Sequence, residues 1–184
     1  MIKKIVLASL LSFAVAPAAF AEHITHPKKE ANNFYVVAKG LYTVGADVKE
    51  ENGAILKGKS GKGFGVDLGY TLPYHFSVEL DLSHSQNDVE NEHHETETAK
   101  YWTYALDVVY VYHLTHEVRV IGKLGYEFED EKIAEETLHE NGMVYGGGVE
   151  YHIDDHYDLL VEYEGSAIDS ARGDSIYAGV KYTF

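Results

Sequence analysis

The sequence predicts an all-β fold, an eight-stranded antiparallel up-and-down transmembrane β-barrel. Three observations predict it. Apolar residues recur at every second position along most of the chain, which is the period of a strand and not of a helix. The connections between alternating segments are short at one end and long at the other, as in barrels that cross a membrane. The aromatic residues are skewed to Tyr, with 15 Tyr against 7 Phe and 1 Trp. Tyr carries a polar tip on an apolar body, which suits a surface half in lipid and half in water.

Composition bounds the rest. A chain of 184 residues fits one domain. With no Cys there is no disulfide framework, thiolate zinc site, Cys nucleophile or lipidated N-terminal Cys. A net charge of −15 argues against nucleic acid, whose backbone needs a basic patch. At 45% apolar and 12% aromatic, the chain is not a disordered acidic one.

Residues 1–21 read as a secretory signal peptide. Lys3 and Lys4 form its positive start, Ile5 to Ala16 its apolar stretch, Pro17 a break, and Ala19-Phe20-Ala21 a small-x-small cleavage site. Cleavage after Ala21 removes two lysines and takes the net charge from −15 to −17. Its form suggests a bacterial envelope. Residues 22–32 are expected to be a short periplasmic N-terminal segment, and 33–184 the barrel. No later stretch reaches about 18 consecutive apolar residues, so no transmembrane helix is expected.

The strands follow in order. Phe34 to Tyr42 is the least clean, because Tyr35, Val37 and Leu41 share a face with Lys39. In Gly63 to Leu72, Phe64, Val66, Leu68 and Tyr70 oppose Gly65, Asp67 and Gly69. After the turn Pro73-Tyr74-His75, Phe76, Val78, Leu80 and Leu82 oppose Ser77, Glu79, Asp81 and Ser83. Trp102 to Tyr112 sets six apolar residues against a face containing Asp107. Val118 to Phe128 opposes Glu117, Arg119, Lys123 and Glu127; Met143 to Tyr151 opposes Glu150. Tyr157 to Tyr163 opposes Asp158, Glu162 and Glu164, and Ile176 to Phe184 opposes Lys181. A face this free of charge is what lipid demands. Pro73–His75, His113–His116 and His152–Asp155 read as short turns. Residues 45–61, 85–98, 129–141 and 165–173 read as longer polar loops. An even strand count puts both barrel ends on the periplasmic, short-turn side.

A soluble lipocalin-like barrel also has eight strands, with its apolar face turned inward. The charge and glycine on the polar face favour a narrow ion-paired lumen instead, and so does the ending Val180-Lys181-Tyr182-Thr183-Phe184, apolar at every second position. Here the sequence resembles the small bacterial outer-membrane barrel family, OmpX-like and similar to the transmembrane domain of OmpA. The resemblance implies a bacterial outer-membrane location. It also implies recognition of Val180, Tyr182 and Phe184 as an assembly signal by the barrel-assembly machinery. Since the chain stops at the barrel, no peptidoglycan-binding domain is expected.

The lumen is the first candidate site. Lys39, Asp67, Glu79, Asp81, Asp107, Arg119, Lys123, Glu150, Glu162 and Lys181 are expected to form an ion-pair network, because an eight-stranded barrel is only wide enough for its own side chains and buried charges must be paired. The inward set also includes Glu117, Glu127, Asp158 and Glu164. Its acidic excess leaves a narrow proton or cation path as the alternative. His is abundant, with 11 residues. His75, His113, His116, His152 and His156 fall at short turns, and His93-His94 lies among glutamates in a loop, where imidazole and carboxylate could bind a metal. Ser83-His84-Ser85, near Asp88, invites comparison with lipid A-modifying enzymes, yet adjacent strand residues point to opposite faces. The expected protein is therefore non-enzymatic and needs no cofactor. It acts in envelope integrity or surface interaction through acidic extracellular loops. Its expected partners are outer-membrane lipid, lipopolysaccharide and divalent cations at those loops, with no nucleic acid, and it is expected to be a monomer.

Overall fold

In a computed structural model, residues 33–49, 55–91, 93–133 and 136–184 are described. The expected leader, residues 1–21, and the expected periplasmic segment, residues 22–32, lie outside the described residues. The strands are β1 (Phe34–Thr43), β2 (Asp47–Lys49), β3 (Ile55–Thr71), β4 (Phe76–Glu90), β5 (Thr96–His113), β6 (Val118–Ile133), β7 (Glu136–His152), β8 (Tyr157–Ser166) and β9 (Ser175–Thr183). From β3 to β9 consecutive strands pair antiparallel, and β1 pairs with both β9 and β3. That double pairing closes the ring and leaves no free edge. β2 pairs with β3 alone, above the ring, so the barrel itself has eight strands.

The pleat decides which face is inside. Leu68 and Leu106 are 48% and 64% exposed, whereas their chain neighbours Asp67 and Asp107 are buried at 1% and 0%. The apolar face is therefore the outer one. Strand register makes it continuous: Leu68 lies opposite Leu80, Leu80 opposite Leu106, Leu106 opposite Tyr126 and Tyr126 opposite Met143. Such cross-strand neighbours touch on one face of the sheet. An inward-facing soluble core is thereby excluded.

The strands are longer than their apolar patterning suggests. Residues 85–98 and 129–141 read as loops, yet β4 runs to Glu90, β5 begins at Thr96, β6 runs to Ile133 and β7 begins at Glu136. Beyond the apolar band both faces can be polar, so alternation stops marking a strand while backbone pairing continues. At the opposite end the turns are tight. Thr115 Oγ1 accepts from the amides of Glu117 and Val118. Asp154 Oδ1 does the same for His156 and Tyr157. Such side chains replace a backbone turn partner. Tyr74 and His75 adopt left-handed φ values of 64° and 67° in the turn between β3 and β4.

Candidate functional site: the charged lumen

The inward face of each strand delivers its charge to a lumen only a few side chains wide. Lys39 on β1 meets Asp67 of β3 at 2.8 Å and Asp81 of β4 at 2.5 Å. Its ammonium also sits 4.2 Å above the Tyr177 ring. Lys123 on β6 is ringed by Glu79 at 3.1 Å, Glu162 at 3.4 Å, Asp107 at 3.6 Å and Asp81 at 4.0 Å. Nearer the short turns, Arg119 Nε is 2.9 Å from Glu150 and its guanidinium also engages Asp158. Lys181 meets Glu150 at 3.1 Å. The ten inward residues singled out in the sequence thus lie in contact with one another in these groups. Glu117, expected inside, is exposed in its turn. Its backbone is committed there, with its carbonyl accepting from the His152 amide, so it lies beyond the lumen.

Tyrosines complete the interior. Tyr35 O–H donates to Glu79 at 2.7 Å and Tyr177 O–H to Glu164 at 2.8 Å. The Tyr35 ring lies over Gly69, its partner across β1 and β3, where any Cβ would overlap the ring. Tyr35, Val37 and Leu160 form an apolar layer in the lumen.

The residues that sequence reasoning missed come from the connection between β8 and β9. It reads as a longer polar loop, but Ser170, Ala171 and Arg172 are buried. The Arg172 guanidinium pairs with Glu127 and reaches Glu129 at 2.6 Å. Above it, Ala171 packs with Val89, Ala99 and Tyr101, bordered by Val48, Leu56 and Ile133. Backbone bonds fix the segment. The amides of Val44, Gly45 and Ala46 donate to the carbonyls of Asp174, Arg172 and Ala171 at 2.9, 3.0 and 3.2 Å. Asn87 Nδ2 adds a bond to the Ala171 carbonyl at 2.8 Å. Gly45 and Gly173 meet here with left-handed φ of 74° and 68°. A clue did exist in the sequence: Arg172 is one of only two Arg in the chain, set between small residues.

The remaining candidates are dispersed. His93 is exposed, and His94 Nδ1 lies 2.7 Å from Glu90 Oε1. With Lys59, that imidazole holds the Glu90 carboxyl below its usual range. Among the described residues, the group of carboxylates close enough to share a cation is Asp81, Asp107 and Glu164, inside the barrel. At the short-turn end the His75 and His113 rings lie 5.2 Å apart. His152 Nδ1 meets Asp158 at 2.8 Å, and His156 Nδ1 meets the Thr183 carbonyl at 2.8 Å. Ser83 and Ser85 are buried in the lumen, whereas His84 faces outward between Phe64 and Trp102. These neighbours therefore cannot form a serine–histidine pair. Val180 on β9 and Phe184 just after it face outward. The Tyr182 ring packs against Tyr157 and Phe184, both at 5.1 Å, and the Phe184 amide donates to the Phe34 carbonyl.

Solved structures share this architecture at low identity. The outer membrane protein OprG from Pseudomonas aeruginosa is 14% identical, with 84% of this chain and 97% of that one covered at a TM-score of 0.66. Ail, the attachment invasion locus protein of Yersinia pestis, is 19% identical, covering 83% and 99% at 0.54. Neisserial surface protein A is 18% identical, covering 84% and 99% at 0.52. Identities this low speak for the fold alone. No curated protein sequence matches the chain significantly. The outer membrane protein beta-barrel domain family matches residues 5–184, and the protein belongs to that family.

Proposed function

We propose that this outer-membrane barrel is a non-enzymatic envelope protein whose lumen is sealed. It works in envelope integrity or surface interaction through its acidic long-loop end. In this reading the short turns face the periplasm, the long hairpins face outside, and the protein acts as a monomer among outer-membrane lipid and lipopolysaccharide. The observation that carries it is Arg172. A loop cation is buried against Glu127 and Glu129 beneath the Val89, Ala99, Tyr101 and Ala171 cluster. Together these fill the mouth above a lumen whose other bases each meet at least one carboxylate.

A narrow proton or cation path is the second reading, and one observation favours it. Asp81, Asp107 and Glu164 bring ligand oxygens within 4.8 Å of one another without a base for each. Conductance across planar bilayers separates the two. The sealed barrel gives no resolvable steps, and Arg172→Ala, which removes the mouth's cation, gives small cation-selective ones. Wild-type steps that Arg172→Ala leaves unchanged would refute the seal. An unchanged lipid A mass in cells overproducing the protein is the matching test for the absence of lipid A chemistry.

A further inference from the structure

The outer wall carries a feature that the lumen does not explain. Lys62 on β3, Gln86 on β4, Lys100 on β5 and Lys132 on β6 stand in direct cross-strand register. All four are exposed. Adjacent strands are about 4.8 Å apart, so Lys100 and Lys132 are immediate neighbours and Lys62 lies about 10 Å from Lys100. Like charges directly opposite one another destabilise a sheet. Among the described residues, no ion pair relieves any of these three lysines, whereas Lys59 nearby is matched by Glu90 at 3.1 Å. Two outward carboxylates flank the row, Asp130 and Asp88, but Asp130 meets His139 at 2.6 Å and Asp88 accepts from Thr98 at 3.2 Å. Among the described residues the three lysines thus lie without an ion-pair partner, on a chain of net charge −15.

What lies beneath the row identifies its ligand. One register step toward the apolar band sits an aromatic shelf of Phe64, His84 and Trp102, with His84 stacked on Trp102 at 4.5 Å. Phe64 and Trp102 are exposed on the lipid-facing side. Beside the row, Tyr42, Ser60, Lys62, Gln86, Asp88 and Thr98 line a depression of about 360 Å³. A molecule that meets both shelf and row has an apolar body below and anionic groups above. We propose that Lys62, Lys100 and Lys132 form a docking row for the phosphate groups of outer-leaflet lipopolysaccharide, with acyl chains against the aromatic shelf. This rests on the outward orientation of the long-hairpin end. A bridging phosphate converts the Lys100–Lys132 repulsion into attraction through charge-assisted hydrogen bonds.

Trp102 is the single Trp of the chain and adjoins the row, so it reports occupancy. The test uses full-length protein inserted in phosphatidylcholine vesicles and titrated with purified lipopolysaccharide while Trp102 emission is followed. We expect saturable binding that weakens with salt, falls tenfold or more in the Lys62→Gln/Lys100→Gln/Lys132→Gln variant, and is lost with dephosphorylated lipopolysaccharide. The Lys49→Gln/Lys57→Gln variant removes nearly as much charge away from the row and should bind as wild type. Wild-type affinity in the triple variant overturns the proposal. So does equal weakening in the control, undiminished binding of dephosphorylated lipid, or equal binding of phosphatidylglycerol. Each variant's gel shift on boiling reports the barrel itself. Failure to insert therefore counts against the outer-membrane reading, and loss of lipid discrimination in an intact barrel is the result the docking row requires.

Discussion

Leu106 and Asp107 are consecutive residues in different solvents. Leu106 is 64% exposed on the lipid-facing side, and Asp107 is sealed among carboxylates and Lys123. Leu68→Arg or Val108→Arg puts a charge into the apolar band and should cost about 2–4 kcal/mol near the midplane, read from reversible denaturant unfolding in vesicles. Inside, the outcome depends on which partner is removed. Lys39→Met strands Asp67 and leaves Asp81 only its 4.0 Å contact with Lys123, and should cost about 3–5 kcal/mol. Asp67→Asn leaves Lys39 its 2.5 Å contact with Asp81 and should cost about 1–2 kcal/mol in the same assay. Gly69→Val drives two methyls into the Tyr35 ring, an overpacking worth about 1–3 kcal/mol. If the lipid-face changes were silent and Asp67→Asn abolished folding, the two faces would be assigned the wrong way round.

β1 and β9 are the elements that turn a sheet into a barrel. Their nine-residue register from Tyr35–Thr183 to Thr43–Ser175 covers the edges that would otherwise stay unpaired. In lipid no water satisfies an open edge, so closure and insertion are linked. Phe184 extends β9 with an outward ring packed on Tyr182. Deleting Phe184 should lower the protein recovered in the outer-membrane fraction and leave it open to periplasmic proteolysis, while the cleavage expected from the sequence after Ala21 proceeds as before. A deletion of residues 92–95, at the tip of the β4–β5 connection, serves as the control. Wild-type recovery of both variants would remove the case for an assembly role of the terminal aromatic. The β8–β9 connection is the other decisive element, because its backbone bonds to residues 44–46 hold Arg172 in place.

At the scale of the whole molecule, a closed antiparallel ring has no strand end from which to unravel and unfolds slowly. The protein should stay folded in SDS at room temperature and migrate differently after boiling. Identical migration in both lanes would count heavily against a closed barrel. Among the described residues, eleven acidic side chains are buried around Lys39, Lys123 and Arg172, with Arg119 and Lys181 partly exposed at one end. That excess forces cations to be shared, which is why Lys123 answers to four carboxylates.

The fold class, the strand order and the two faces were all legible in the residue order. The cause is that a strand's period of two writes its two solvents directly into the residue order. It did not determine where β4 to β7 end, because above the apolar band polarity no longer alternates and only backbone pairing defines a strand. The rarity of Arg marked Arg172, but its burial was illegible, since that depends on the Gly45–Gly173 contact and on Glu127 and Glu129 of another strand. The basic row was hidden for the same reason. Lys62, Lys100 and Lys132 are 38 and 32 positions apart in the chain, and only inter-strand register makes them neighbours. Alternation is a local property and survives in the sequence. Register and loop burial are long-range pairings, and the closed barrel alone decides them.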